Sequence, residues 1–75
     1  MKLKKEINKF MEDYAIHLAD IVRESNLYSN KDIKYHSVYK YLKGINQSMS
    51  YEATQAILRA INSMKEALHY EEYII

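Results

Sequence analysis

The residues of this chain best suited to chemistry lie in one short stretch, His36 to Gly44. If the stretch is a helix, Val38, Tyr41 and Leu42 share one face, because their spacing is three and four residues. The opposite face offers cations, a hydroxyl and a phenol, which are groups that contact phosphate oxygens and base edges. The residues on that face are Ser37, Lys40 and Lys43, with parts of His36 and Tyr39. We therefore predict a helix that is buried on one side and basic on the other.

Residue types beyond this stretch predict where the helices begin and end. Gly44 follows directly, and glycine is favoured as the left-handed residue after a helix C-terminus. It is the only glycine among the 75 residues. Ser50 is a favourable N-cap, and Glu52 lies in the first turn after it, where a carboxylate complements the helix dipole. We predict a helix at residues 36–43, a polar connection, and a new helix from residue 51.

The composition limits the fold to one small helical domain. With no cysteine and 48% apolar side chains, the core has no disulfides or thiolate metal sites and must come from helix packing or be completed by a second subunit. The absence of proline and the single glycine favour helices. We expect one all-α domain over residues 1–75, with four to five helices. No apolar run approaches about eighteen residues and no signal peptide is evident, so we expect no membrane association and a cytoplasmic location.

Apolar residues spaced by three and four predict the remaining helices. The first stripe runs over residues 3–25 and is compatible with one helix or with two, Asp13 being a candidate cap for the second. The other stripe runs over residues 51–72, again as one or two helices. The chain then ends in an apolar segment that we expect to be docked, internally or on a partner. That segment contains Tyr70, Tyr73, Ile74 and Ile75.

Residues 26–35 form the one loop-like stretch. Asn26 is a candidate helix end, because asparagine tolerates the left-handed region. Ser29 and Asp32 have the spacing of a capping box, which predicts a short helical turn from Asn30. Ile33 is the apolar residue that we expect to anchor this connection to the core.

Positive charge is concentrated around the 36–43 helix, although the whole chain carries only +1. Residues 31–47 contain four lysines against Asp32 alone, whereas bases and acids balance before this segment and acids prevail after it. A charge run is more often a solvated face than a binding site. Its concentration on one helix nevertheless favours an anionic partner.

Three segments resemble the helix-turn-helix region of bacterial transcriptional regulators. Residues 20–27 (DIVRESNL) resemble the first helix of the motif, with Asn26 at the usual glycine position. Residues 37–44 (SVYKYLKG) resemble its recognition helix, and residues 49–61, beginning MSYEAT, resemble the capped helix that follows. Lambda-repressor/Cro-type and lactose-repressor-type domains share this order, and the long N-terminal helix is more similar to phage and plasmid repressors. The connection from Leu27 to Ser37 is longer than the tight turn of the family.

The resemblance implies sequence-specific binding to double-stranded DNA, with the 36–43 helix in the major groove. Ser37, Tyr39 and Lys40 would lie nearest the bases, while the other lysines and the N–H groups near Ser50 would contact phosphates. Because one domain offers few cations, we expect a homodimer on a two-fold-related site. The expected interface consists of Lys31, Lys34, His36, Ser37, Tyr39, Lys40, Lys43 and Ser50.

The abundance of tyrosine keeps two other hypotheses open. Tyrosine is favoured at protein interfaces because it buries area while keeping a polar tip. The chain is then a small helical protein–protein interaction module, such as a phage- or plasmid-encoded inhibitor or adaptor, or a helical oligomer whose tyrosines are core and rim. The tyrosines closest to the central helix are Tyr28, Tyr35, Tyr39, Tyr41 and Tyr51.

The residues do not favour a metal site, a catalytic site or a phosphate-binding loop. His17, His36 and His69 are too dispersed for a metal site, and Glu66, His69 and Glu72 are more typical of a solvated helix face. No nucleophile–base constellation can be named, and one glycine cannot make a phosphate loop. We expect no enzymatic activity, no cofactor and no small-molecule substrate.

Overall fold

The computed structural model describes the backbone of residues 3–74 and the side chains of residues 3–69. In that part of the chain the protein forms four helices and no strand, which confirms the all-α prediction. The molecule measures 40 × 25 × 20 Å along its principal axes. The helices are α1 (Leu3–Tyr14), α2 (Leu18–Ser25), α3 (Tyr35–Leu42) and α4 (Tyr51–Ile74).

The core is assembled from the apolar faces of all four helices. Helix α2 packs against both α3 and α4, and α1 packs against α4. Buried Phe10, Ile21, Val38 and Ile57 represent the contributions of α1 to α4 in order. The one hydroxyl buried among them on α2, that of Ser25, donates to the carbonyl of Ile21 at 2.6 Å. Helix α3 is held in place by its packing against α2.

The first apolar stripe forms two helices, separated by a break at Ala15. Ala15 has a φ of +54°, and the Ile16 N–H donates to the Met11 carbonyl at 3.2 Å. This bond spans five residues, as in a Schellman helix end with its left-handed residue at Ala15. The prediction that Asp13 caps the second helix is wrong: Asp13 lies within α1, where the Lys9 ammonium is 3.5 Å away. His17 is the N-cap of α2, without a side-chain hydrogen bond.

The connection between α2 and α3 is organised by Asn26, in a way that its sequence position did not indicate. Asn26 does end α2, as predicted. Its φ is −68°, however, so the predicted left-handed conformation is wrong. Its side-chain oxygen accepts from the Ile33 N–H at 2.7 Å, and its side-chain nitrogen lies 3.1 Å from the Ile33 carbonyl and 3.0 Å from that of Val22. Ile33 is buried, which confirms it as the anchor of this connection.

The capping box and helical turn predicted from Asn30 do not form. The Ser29 hydroxyl donates to the Lys31 carbonyl at 2.8 Å, so it does not cap a helix. The Asp32 carboxylate lies 2.9 Å from the Lys34 ammonium. The Asn30 N–H donates to Glu52 Oε1 at 3.1 Å, which ties the connection to the start of α4. The two side chains that a capping box needs are thus bonded to residues two positions further along the chain, Ser29 to Lys31 and Asp32 to Lys34.

The end of α3 and the start of α4 follow the predicted residue types. Gly44 has a φ of +82°, and the Ile45 N–H donates to the Lys40 carbonyl at 2.9 Å. The Ser50 hydroxyl accepts from the Ala53 N–H at 3.2 Å, which confirms Ser50 as the N-cap. Helix α4 is a single helix of 24 residues. The docking predicted for the C-terminal apolar side chains concerns residues 70–75, which lie outside the described side chains.

Candidate nucleic-acid interface

Helix α3 has the two faces that its spacing predicted. It begins one residue earlier than expected, at Tyr35, and Lys43 becomes its C-cap. Val38 and Tyr41 are buried, and Leu42 is half-buried against the same core. His36, Ser37 and Tyr39 are exposed. Because Val38 is fully enclosed, the helix cannot rotate about its axis without exposing its apolar face, so its outward residues are fixed in direction.

The outward face of α3 carries a cluster of rings beneath a cation. The ring centroids of Tyr35 and Tyr39 are 6.3 Å apart with planes at 17°, and those of His36 and Tyr39 are 6.5 Å apart at 12°. The Lys43 ammonium lies 5.5 Å from the Tyr39 ring centroid. Such an exposed cation–π contact contributes about 0.5–1 kcal/mol. The contacts orient Tyr39, of which 40% remains exposed, so that a preformed aromatic surface faces outward.

Three of the four lysines around α3 have no carboxylate partner in the described part of the chain. The ion pairs there join Lys9 to Asp13, Arg23 to Asp20 and Lys34 to Asp32. The unpaired cations are Lys31, Lys40 and Lys43. Lys43 and Lys31 are exposed, whereas Lys40 is half-buried, an arrangement in which a long stem covers apolar surface while its charged end reaches water. Their charge is available to an anion.

Four of the eight expected interface residues line one cleft of about 300 Å³ between the α2–α3 connection and the start of α4. They are Lys31, Lys34, Ser37 and Ser50. The carboxylates of Asp32 and Glu52 line the same cleft and reduce its positive potential. Ser50 is engaged in capping α4, and Lys34 in its pair with Asp32. Lys31 and Ser37 are therefore the residues of this cleft most available to a ligand.

A second depression, of about 400 Å³, lies on the other flank of α3, where that helix meets α1 and α2. Asn8, Tyr35 and Lys43 are among its lining residues. The expected interface did not include Asn8 or Tyr35. The spacing of four residues between Tyr35 and Tyr39 was a signal for the tyrosine once α3 begins at Tyr35. No local signal pointed to Asn8, because only tertiary packing brings α1 beside α3.

The tyrosines predicted to surround α3 separate into two groups. Tyr28, Tyr35, Tyr39 and Tyr51 are exposed, whereas Tyr41 belongs to the core. Within the described residues no group of three histidine, cysteine, aspartate or glutamate side chains lies close enough to hold a metal ion. No helix in that part of the chain is long and apolar enough to cross a membrane.

Comparison with known proteins adds no relative: no protein-family model, no curated protein and no solved structure matches this chain.

Proposed function

We propose that this protein is a sequence-specific DNA-binding transcriptional regulator of the phage or plasmid type, with α3 in the major groove. The observation that supports this best is the anchoring of α3. Val38 and Tyr41 hold it in the core, while Lys40 and Lys43 have no carboxylate partner among the described residues. A helix that is fixed in direction and carries free cations is suited to contact base edges.

The dimensions of α3 suit a major groove. An α-helix with its side chains is about 10–12 Å across and the major groove is about 12 Å wide, so α3 (Tyr35–Leu42) can lie in the groove. Ser37, Tyr39 and Lys40 are assigned to the bases: lysine donates to the O6 and N7 atoms of guanine, and a tyrosine ring packs on a thymine methyl group. His36 lies next to them on the exposed face, stacked on Tyr39.

Phosphate contacts are assigned to the lysines that flank α3. Lys31 and Lys43 are exposed and unpaired among the described residues, so they approach phosphates at little cost. Lys34 first has to leave Asp32, but that pair is about 70% exposed on both sides, and exposed pairs contribute only about 0–1 kcal/mol. Ser50 contributes through the start of α4, where backbone N–H groups favour an anion.

The proposal includes a homodimer. One α3 with so few cations binds a single half-site weakly, because most non-specific affinity comes from neutralised phosphates. Two copies on a two-fold-related site double both the phosphate and the base contacts.

The first prediction tests the lysines of α3. We expect Lys40→Ala/Lys43→Ala to elute from heparin and from random duplex DNA at lower salt than the unaltered protein. The slope of log affinity against log salt should fall by about 0.9 for each lost phosphate contact. Circular dichroism should be unchanged, since neither lysine forms an ion pair in the described structure and the exposed Lys43–Tyr39 contact contributes only about 0.5–1 kcal/mol. The measurement is retention and fluorescence anisotropy across a salt gradient.

The matched control is Arg59→Ala/Lys65→Ala, which removes the same charge from α4 at two residues that line neither cleft. Equal losses in the two double variants would show a general charge effect and count against a role for α3. Sequence specificity is tested separately by selection from a random duplex library. The proposal expects one enriched motif, and a library that stays unenriched contradicts it.

The second candidate function is binding to a protein partner, which is favoured by large apolar side chains that are exposed. Leu27 is 73% exposed and Tyr51 is 80% exposed, and Ile45 is also exposed. Where exposed apolar side chains form one contiguous patch, they mark a protein interaction site. If the unaltered protein is not retained on duplex DNA at low salt, the DNA proposal fails and this candidate replaces it.

A further inference from the structure

The exposed face of α1 carries two lysines where a helix disfavours them. Lys4 and Lys5 lie in the first turn of α1, at the positive end of the helix dipole, where carboxylates are stabilising and cations are not. Both are exposed, and neither forms an ion pair within residues 3–69. The charges of these two lysines therefore do not contribute to the stability of α1.

This face of α1 continues onto the outward face of α3. Lys4, Lys5 and Asn8 line a shallow depression on α1. Asn8 also lines the depression between α1 and α3, together with Tyr39 and Lys43. Asn8 lies one turn from both lysines, since it follows Lys5 by three residues and Lys4 by four. One surface therefore runs from the start of α1 across Asn8 to the rings and the cation of α3.

The charge of this surface changes from positive at the N-terminal end of α1 to negative at its C-terminal end. Its acidic residues, Glu12 and Asp13, lie at the C-terminal end of α1, and Asp13 is paired with Lys9 at 3.5 Å. At its N-terminal end the surface is lined by the unpaired cations Lys4 and Lys5 and then by the exposed amide of Asn8, whereas Glu6 of the same helical turn does not line it. An extended polyanion complements such an end, because it requires several cations at intervals and an amide that can donate to its oxygen atoms.

We propose that α1 is a second DNA-contacting element, in which Lys4, Lys5 and Asn8 bind the sugar–phosphate backbone that borders the groove occupied by α3. This inference rests on the proposed function. It adds phosphate-binding residues that lie outside the helix-turn-helix segments, on an element whose polar side otherwise serves only as solvated surface. The contacts set the orientation of the domain on the duplex and increase affinity without sequence preference.

The test is Lys4→Gln/Lys5→Gln, measured on the duplex selected by the unaltered protein and on a scrambled duplex. We expect affinity to fall by a similar factor on both, and the salt slope to decrease by about 0.9 for each lost contact. The melting temperature should stay the same or rise, because two cations are removed from the positive end of the α1 dipole. Asn8→Ala should weaken binding to both duplexes with a smaller change in salt slope, since asparagine carries no charge.

The control variant is Arg59→Gln/Lys65→Gln. It has the same net charge as Lys4→Gln/Lys5→Gln, but the two cations that it loses lie on α4. Weaker binding of the α1 variant with normal binding of the control supports the inference. Equal weakening of both overturns it in favour of a general charge effect. Normal binding of the α1 variant, with loss of binding in Lys40→Ala/Lys43→Ala, overturns it and leaves the proposed function standing. An unaltered protein that binds no DNA overturns both.

Discussion

Two residues with positive φ end helices in the same way but at different cost. Gly44 (φ +82°) follows α3 and Ala15 (φ +54°) follows α1. At each helix end, the N–H of the next residue donates a hydrogen bond to the carbonyl five residues before it. Glycine adopts this region freely, whereas a residue with a Cβ is disfavoured there by about 1–2 kcal/mol. Ala15 therefore stores strain that the surrounding contacts of Ile16 and Met11 offset, since both are packed against the core.

We predict opposite effects from exchanging the two residue types. Ala15→Gly should raise the free energy of unfolding by about 0.5–1 kcal/mol, and Gly44→Ala should lower it by about 1 kcal/mol. A Cβ at Gly44 has no heavy atom within 4 Å, so the loss there comes from the backbone alone. Urea denaturation measures both. A Gly44→Ala variant of unchanged stability would show that the left-handed conformation of this residue is not required.

At the scale of elements, α3 is positioned by a side chain outside it. The Asn26 amide bonds to the N–H and the carbonyl of Ile33 together, as a neighbouring strand would, and also to Val22 at the end of α2. Ile33 is buried, so loss of these bonds leaves polar backbone groups near the core without partners. The connection of residues 26–34 is thus held to one path, and the start of α3 with it.

Asn26→Ala should therefore destabilise the protein by about 1–3 kcal/mol, the usual cost of leaving partly buried hydrogen-bonding groups unsatisfied. It should also speed hydrogen exchange of the Ile33 amide more than that of amides within α4. The control is Ser29→Ala in the same connection, whose hydroxyl is bonded only to exposed Lys31; we expect it to change stability by less than about 1 kcal/mol. Equal effects of the two substitutions would remove Asn26 from this role.

At the scale of the whole molecule, α4 is the element on which the domain is built. Its 24 residues make a rod about 36 Å long, close to the 40 Å long axis of the molecule. Helices α1 and α2 pack on it, and α3 packs on α2, so α3 lies at the edge of the assembly with its polar face outward.

The proposed dimer makes a geometric prediction. Two α3 helices that enter successive major grooves on one side of a duplex lie about 34 Å apart, which corresponds to half-sites about 10 base pairs apart. Footprinting on a selected duplex should give two protected blocks at that spacing, and mass measurement should find two chains per duplex. Inserting about five base pairs between the half-sites should abolish tight binding. A single protected block with one chain per duplex would contradict the dimer.

Much of the fold and part of the site followed from the sequence alone, because they depend on neighbours within about one helical turn. The buried face of α3, the left-handed Gly44 and the Ser50 cap all follow from spacings of three and four residues or from one residue type at a helix end. The concentration of lysines around α3 could likewise be predicted, because these lysines lie close together in the sequence.

Only the tertiary structure decided what depends on residues that are distant in the chain. The break after α1 lies at Ala15, a residue whose type does not favour positive φ. Asn26 bonds to Ile33, and Asn30 bonds to Glu52, 22 residues away, instead of starting a helical turn. Asn8 and Tyr39 line one depression because tertiary packing brings α1 next to α3. A side chain with several possible hydrogen-bond partners takes those that packing brings close, and no local pattern in the sequence records that choice.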